Sequence, residues 1–414
     1  MGGVVEAVLP ARMGTPFRWL VGSSWTSNLG DGIGLAAGPL LIASQTSDPF
    51  VVAMAGLLQG LPWLLFGLYA GVLADRVNRK LLVVVVDLIR AGVLAVLTAT
   101  LVTGHVDVTV VLVTMFVLGT AEVFADTTTG TLLPMVVAKA DLGIGNARIS
   151  AGSLTMNNLV GPSVGAFLFA AGMAWPFLVQ AVCIALGAIL VSRMVVPPLP
   201  RPETRSHIRR DIAEGFRWTW GNRAVRTLTI TIVTFNVTYG AAWSVLVLYA
   251  TEVLDLGAVG FGLLTTVGAV GGLVGTIGYD WLERHASLAT LMRVGLVIET
   301  FTHLGLALTT TGWVAMAIMF VFGAHAFVWG TTSRTVRMRA VPMQLQGRVG
   351  SLYAIGVFGG IVAGQALGGV IAQLWGITAP FWFAFVGSAV LLALIWRELA
   401  HIAHADEAVL ASAE

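Results

Sequence analysis

The chain has 414 residues, of which 57% are hydrophobic and 11% charged, with a formal net charge of +2 and a mean hydropathy of +0.88. Soluble domains carry about 25% charged residues, so this composition places the chain in a membrane and leaves little for a soluble domain. Basic residues do not cluster with aromatics, which excludes a nucleic-acid surface, and the single Cys183 sits in an apolar run, which excludes a disulfide framework and a thiolate metal site.

A spanning helix needs about 20 mostly apolar residues. Such runs predict twelve spans near residues 17–42, 50–74, 81–102, 108–133, 149–171, 175–195, 225–250, 258–282, 287–309, 312–334, 349–373 and 379–398. The first follows Arg12 and Arg18 and runs too long for a signal peptide, so it reads as a retained span. The connections after odd-numbered spans (43–50, 102–108, 171–176, 251–258, 310–312 and 376–379) hold no Lys or Arg, and all 23 basic residues fall in the termini, the other connections or the span ends near them. Lys and Arg are retained on the cytoplasmic side, so both termini are expected there. Only Lys80 and Lys139 are lysines among many arginines, a usage that fits GC-rich coding and hence the plasma membrane of a bacterium.

In the first span Ser24, Asn28 and Asp31 fall at i, i+4 and i+7 on one polar stripe, with Asp31 near the midplane. After the second span "GVLADRVNRK" packs Asp75, Arg76, Arg79 and Lys80 between two apolar walls, and the third span carries Asp87 and Arg90. The fourth span places Glu122 and Asp126 four residues apart on one face. Counting depth from the cytoplasmic ends, Arg90 is expected to pair with Glu122 or Asp126. An ionisable group inside a span costs about 2.5 to 3.5 kcal/mol on insertion scales and asks for a partner or a wet cavity. One arginine cannot neutralise Asp31, Glu122 and Asp126 together, and the surplus carboxyls are candidates to take a proton from one side and release it to the other. Asp31 is the first choice for that role and Glu122 the second.

Pro162 in the fifth span removes a backbone donor and predicts a bend. The segment from Pro197 to Arg226 follows the sixth span; its prolines suit a stiff start. Ile208, Ile212 and Phe216 then recur opposite Arg209, Arg210, Asp211 and Glu214, describing an amphipathic helix on the cytoplasmic leaflet. This divides the chain into a six-helix bundle (1–196), a linker (197–224), a second six-helix bundle (225–400) and a tail (401–414). Asp75 before Arg79 in one half and Asp280 before Arg284 in the other, each four apart, hint at an internal repeat. Later stripes are aromatic: Asn236, Tyr239 and Trp243 in the seventh span, and Phe322, His325 and Trp329 in the tenth. Gly268, Gly272 and Gly275 in the eighth span, and Gly360, Gly364 and Gly368 in the eleventh, predict close helix approaches.

The "GVLADRVNRK" loop resembles the signature loop of the major facilitator superfamily, with Asn78 where Gly is usual, a position in which Asn can adopt the left-handed backbone. Asp87 and Arg90 in "DLIRAG", Pro134 and Asn146, and "RAVPMQLQGRVGSLY" from Arg339 to Tyr353 resemble the branch that includes macrolide efflux proteins, the enterobactin exporter and Tap-like drug exporters. "NNLVGPSVGAF" is similar to an antiporter motif at Gly161, Pro162 and Gly165, but Asn157 and Ala166 replace two of its glycines.

The resemblance implies an all-α membrane fold of twelve helices in two pseudo-symmetric six-helix bundles, with spans 1, 4, 7 and 10 around a central cavity. It implies a conformational latch made by Gly71, Asp75, Arg76, Arg79, Lys80, Asp87 and Arg90, steadying the outward-open state. Substrate contacts then fall to Asn28, Asn236, Tyr239, Trp243, Phe322, His325 and Trp329, whereas Glu299 and His303 in a peripheral ninth span read as a structural pair. An aromatic cavity with a few acids suits a large amphipathic solute, neutral or cationic. The expected activity is proton-coupled export of drug-like molecules or secondary metabolites by alternating access, with a dedicated siderophore or antibiotic exporter and a lipid or lysolipid flippase as alternatives. No cofactor or metal is expected; the partners are the solute, protons and lipid, and the chain reads as a monomer. No phosphate loop, metal cluster or activated nucleophile marks an enzyme.

Overall fold

The structure is a computed structural model describing residues 11–196 and 208–399. Among these no strand occurs, and helices occupy all twelve expected positions. They are α1 (Gly14–Gln45), α2 (Pro49–Arg76), α3 (Arg79–Val102), α4 (Val108–Gly130), α5 (Lys139–Ala171) and α6 (Trp175–Ser192), then α7 (Arg223–Trp243 with Leu246–Val253), α8 (Gly257–His285), α9 (Leu288–Leu308), α10 (Gly312–Ala340), α11 (Gln346–Trp375) and α12 (Ala379–Ile395). Among the described residues nine helices are long and apolar enough to cross a membrane, ten if the bent α7 counts as one span.

Why these sequences form lipid-facing helices is plain in α3. Asp87 and Arg90 are each only 3% exposed while Leu88 and Ile89 between them are 52% and 51% exposed. A water-soluble helix shows the reverse pattern; here the polar edge turns inward because hydrocarbon cannot solvate it. Asn78 has φ −66° and ψ 106° and accepts from the Leu81 amide as the N-cap of α3. Its extended backbone corrects the left-handed expectation: the loop uses Asn for its side-chain oxygen.

The chain divides into two compact units. One holds residues 1–47, 58–205 and 257–266; the other holds 48–57, 206–256 and 267–414. In the first, α1 packs on α6 and on the later part of α5, and α3 packs on α4 and α6. The second repeats this pairing, with α7 on α11 and α12 and α9 on α10 and α12. Close helix crossings repeat too. A Cβ on Gly32 would lie 2.5 Å from the Asn157 carbonyl of α5, and one on Gly165 would lie 2.3 Å from that of Ile33. In the second unit a Cβ on Gly364 of α11 would meet the Val237 carbonyl at 2.2 Å, with Gly360 and Gly368 against Val233 and Ala241 in the same way. The predicted glycines thus let backbones touch where a methyl group would hold them apart. Gly275 does so against Ala324 of α10, and Gly272 seats the Phe327 ring. Gly268 has more room, its Cβ position lying 3.5 Å from the Met319 carbonyl.

Two helices depart from regular α geometry. Ahead of Pro162, residues Ser153–Val160 widen into π-helical turns, which absorb the carbonyl that proline leaves without a donor. The sequence does not signal the second break. α7 bends by 43° after Trp243, and beyond the bend the Tyr249 hydroxyl reaches the carbonyls of Leu306 (2.7 Å) and Thr309 (3.0 Å) at the end of α9. Those are carbonyls a helix end leaves unpaired.

A helix spans Ile208–Gly221. In the second unit Glu214 pairs with Arg348 at 2.6 Å; the side chains of residues 208–212, and the tail 401–414, lie outside the described residues. The Asp-to-Arg spacing that hints at the repeat carries an ion pair in the first unit, Asp75 with Arg79, whereas around Asp280 and Arg284 the pair is Glu283 with Arg339 at 3.7 Å.

Candidate functional site

In the first unit α1, α3 and α4 bring Asp31, Asp87, Arg90, Glu122 and Asp126 together. The Arg90 guanidinium donates Nη2 to the Asp31 carboxylate and Nη1 to Oδ1 of Asp87 at 3.2 Å, while its Nε is buried without a partner. This corrects the expected pairing with Glu122 or Asp126. Counting depth from the helix ends does not separate these acids, and the rotation of each helix about its axis decides the partner. Asp87 precedes Arg90 by three residues on one α3 face, so it belongs to this buried group and not to the loop with which the resemblance grouped it.

Glu122 and Asp126 make no ion pair or side-chain hydrogen bond among the described residues. One guanidinium therefore stands against four carboxyl groups, two of them without a direct cationic partner. Asp31, Arg90 and Glu122 line a cavity of about 80 Å³, together with Gln59 of α2, Asn157 of α5 and Gln180 of α6. That space holds a few waters, whereas a drug-sized solute needs about 300 Å³ or more. Asn28 stays on the Asp31 stripe, its amide donating to the Ser24 carbonyl at 2.7 Å.

Sequence reasoning misses the three amides as site residues. Gln180 is the lone polar side chain of "PFLVQAVCIALG", a detectable signal because an isolated amide in a span asks for a partner. A Cβ on Gly34 would lie 2.7 Å from its Nε2, so the glycine makes room for the amide. Asn157 stands out in the sequence only as a departure from a glycine motif; the π-helical turns carry it to the cavity.

The second unit holds an aromatic stack. Trp329 lies 5.7 Å from Phe235 at an interplanar angle of 4°, Phe235 lies 6.4 Å from Tyr239, and Tyr239 is 4.5 Å from Trp243 and 6.1 Å from Phe322. These are the separations at which aromatic pairs attract beyond their buried area. Four of the seven residues expected to contact solute, Tyr239, Trp243, Phe322 and Trp329, thus meet in one stack, and Phe235 joins them unforeseen. Asn236 does not. Its amide donates to the Ile232 carbonyl at 2.7 Å, and its Cβ faces the α11 seam at Gly360.

Glu299 underlies the stack. His303 donates Nε2 to one carboxylate oxygen at 2.9 Å and His325 donates Nε2 to the other at 3.1 Å. The expected Glu299–His303 pair is present. His325, expected to be available to solute, is instead the carboxylate's second partner, because α9 and α10 pack directly together. Its ring still meets Phe322 edge-on at 5.9 Å, as His303 meets Trp243 at 6.1 Å.

At the loop between α2 and α3, Arg79 donates to Asp75 at 2.6 Å and to the Ala74 carbonyl at 3.2 Å, closing the C-terminal turn of α2. Lys80 donates to the Met194 carbonyl at 2.8 Å, just beyond α6, where a cation satisfies helix-end carbonyls. Arg76 is exposed, and a Cβ on Gly71 would meet nothing within 4 Å.

Residues 7–414 match the family described as "Transmembrane secretion effector". The chain is 29% identical over 394 residues to the multidrug efflux pump Tap of Mycolicibacterium fortuitum, covering 88% of this chain and 91% of Tap. It is 24% identical over 391 residues to the enterobactin exporter EntS of Escherichia coli O9:H4, covering 90% of each. A mutant of the nucleoside transporter NupG superposes with a TM-score of 0.76 at 10% identity, over 93% of this chain and 99% of that one; this likeness is one of fold.

Proposed function

Since the chain belongs to the transmembrane secretion effector family of the major facilitator superfamily, we propose that it is a proton-coupled secondary exporter of amphipathic solutes, working by alternating access in a bacterial plasma membrane with both termini cytoplasmic. The observation that carries this reading is the imbalance in the first unit. Arg90 holds Asp31 and Asp87, while Glu122 and Asp126 share its surroundings without a direct partner. A proton on half-buried Glu122, or on exposed Asp126, removes one of the like charges around Arg90, and a single proton moving down 100 mV supplies about 2.3 kcal/mol. The 80 Å³ cavity beside Glu122 suits water and protons, which leaves solute binding to the aromatic stack of the second unit. Flat aromatic faces bind apolar rings by burial and cations through the ring quadrupole, and the Tap and EntS relatives are named as a multidrug efflux pump and an enterobactin exporter.

The test is transport into a pH-monitored compartment. Purified protein in liposomes with an internal pH dye receives ethidium, a macrolide or a tetracycline in turn. Solute-driven proton movement in the wild type, absent from Glu122→Gln and Asp31→Asn, supports the reading. Solute movement without proton movement in all three removes it.

A further inference from the structure

The Glu299, His303 and His325 cluster is not used by that mechanism, and its geometry is unusual for a merely structural group. All three side chains are buried, with Glu299 and His303 at 0% exposure. Both imidazoles spend Nε2–H on the same carboxylate, and both Nδ1 atoms are buried without a hydrogen-bond partner. With the two rings neutral, the cluster carries one net negative charge inside the second unit.

Among the described residues of the second unit, no Lys or Arg pairs with it. α12 (Ala379–Ile395) has no titratable side chain. From α7 the group facing Glu299 is the neutral phenol of Tyr239. On α10 the nearest charges are Arg334, Arg337 and Arg339, at least nine residues, roughly 13 Å, along the helix from His325, and Arg337 is engaged over the Tyr353 ring at 3.8 Å. The charged residues of α8, from Asp280 to Arg284, lie at its far end beyond Tyr279. On α9 itself Arg293 donates to the Trp396 carbonyl at 3.0 Å. A buried anion without a counter-charge is costly, and two ligands can supply one here. A proton can occupy a free Nδ1, converting the cluster to a neutral carboxylate–imidazolium pair. Alternatively, a cation can settle on the stacked Tyr239, Trp243 and Phe322 rings, of which Trp243 meets His303 and Phe322 meets His325.

We propose that Glu299, His303 and His325 form a second proton-binding site, and that a proton there and a cationic solute on the adjoining aromatic stack exclude one another. The binding of one proton to the cluster balances its charge, and solute entry releases that proton. This deepens the export reading and rests on it for the direction of transport. It also places solute–proton exchange within one unit, at a site separate from Asp31 and Glu122.

The test uses the full-length protein in lipid nanodiscs with ¹⁵N-labelled histidine and tetraphenylphosphonium, whose charge does not change with pH. In the wild type, at least one of the two imidazoles, assigned by their loss in His303→Gln and His325→Gln, should gain a proton as the pH is lowered, and tetraphenylphosphonium should move that protonation to lower pH. Its affinity should fall about tenfold per pH unit below the midpoint, the slope of one-for-one competition, and Glu299→Gln should flatten that dependence. If a histidine variant fails to fold, the wild-type titration and its response to tetraphenylphosphonium decide the matter alone. Overturning results are both rings holding the Nε2–H neutral form throughout, or titrating without any response to tetraphenylphosphonium, or no binding of that cation. Glu122→Gln separates the two readings. Competition retained in Glu122→Gln, with solute-driven proton movement also retained, overturns only the first-unit assignment; a silent histidine pair with proton movement lost in Glu122→Gln overturns only the second site.

Discussion

Arg90 of α3 holds Asp31 of α1 across 59 residues of sequence, with the Arg90 side chain 3% exposed and that of Asp31 11% exposed. Asp87 accepts from the same guanidinium, so the two halves of this pair are unequal. Asp31→Asn leaves Arg90 partnered, and its melting temperature should stay within a few degrees of wild type while proton movement is lost. Arg90→Gln strands two buried carboxylates and should cost about 3–5 kcal/mol. Thermal unfolding of both variants and of the double variant gives a coupling energy, expected at about 0.5–3 kcal/mol.

Glu122 and Asp126 lack direct partners, so their amide replacements remove no ion pair. Glu122→Gln and Asp126→Asn should both fold normally. Glu122→Gln, which alters the cavity itself, should lower uphill ethidium efflux at least tenfold while downhill movement persists. Parallel assays with and without an imposed pH gradient measure this; equal loss in both would mean that the residue serves solute binding and not coupling.

Which features are legible in the sequence follows from how each is encoded. Helix positions come from apolar runs of fixed length and from the basic connections, both local properties, and all twelve positions prove helical. The glycine seams are legible because spacing by four keeps a residue on one helix face. Rotation of one helix against another is not local. Depth alone cannot distinguish Asp31 from Glu122 as the partner of Arg90, and the Asn236, Tyr239 and Trp243 stripe does not show that Asn236 turns to the α11 seam while its neighbours join the stack. The α7 bend escapes because no proline marks it. Gln180 is visible as a lone amide, but its relation to Gly34 exists only once α1 lies against α6.

Gly364 and Gly350 lie on the same helix and should respond oppositely to alanine. A methyl group at 364 would sit 2.2 Å from the Val237 carbonyl, whereas one at 350 meets nothing within 4 Å. Gly364→Ala must push α11 from α7 and should cost about 1–3 kcal/mol. Gly350→Ala should be neutral or stabilise by up to about 1 kcal/mol through helix propensity. Melting temperatures in detergent check the contrast, and a similar loss in both would assign Gly350 a role outside packing.

Gly34→Ala addresses the site more directly. Its methyl group would meet the end of the Gln180 side chain at 2.7 Å, a flexible group that can swing aside, so the fold should survive with a loss of about 1 kcal/mol or less. Gln180 lines the 80 Å³ cavity beside Asp31 and Glu122, and the displaced amide, swung into it, takes the place of water. Proton movement should therefore slow several-fold while tetraphenylphosphonium binding in the other unit is unchanged. Adding Gln180→Ala to Gly34→Ala removes the obstruction and should restore the rate. Failure of that rescue would show that the methyl group acts on the α1–α6 contact and not through the cavity.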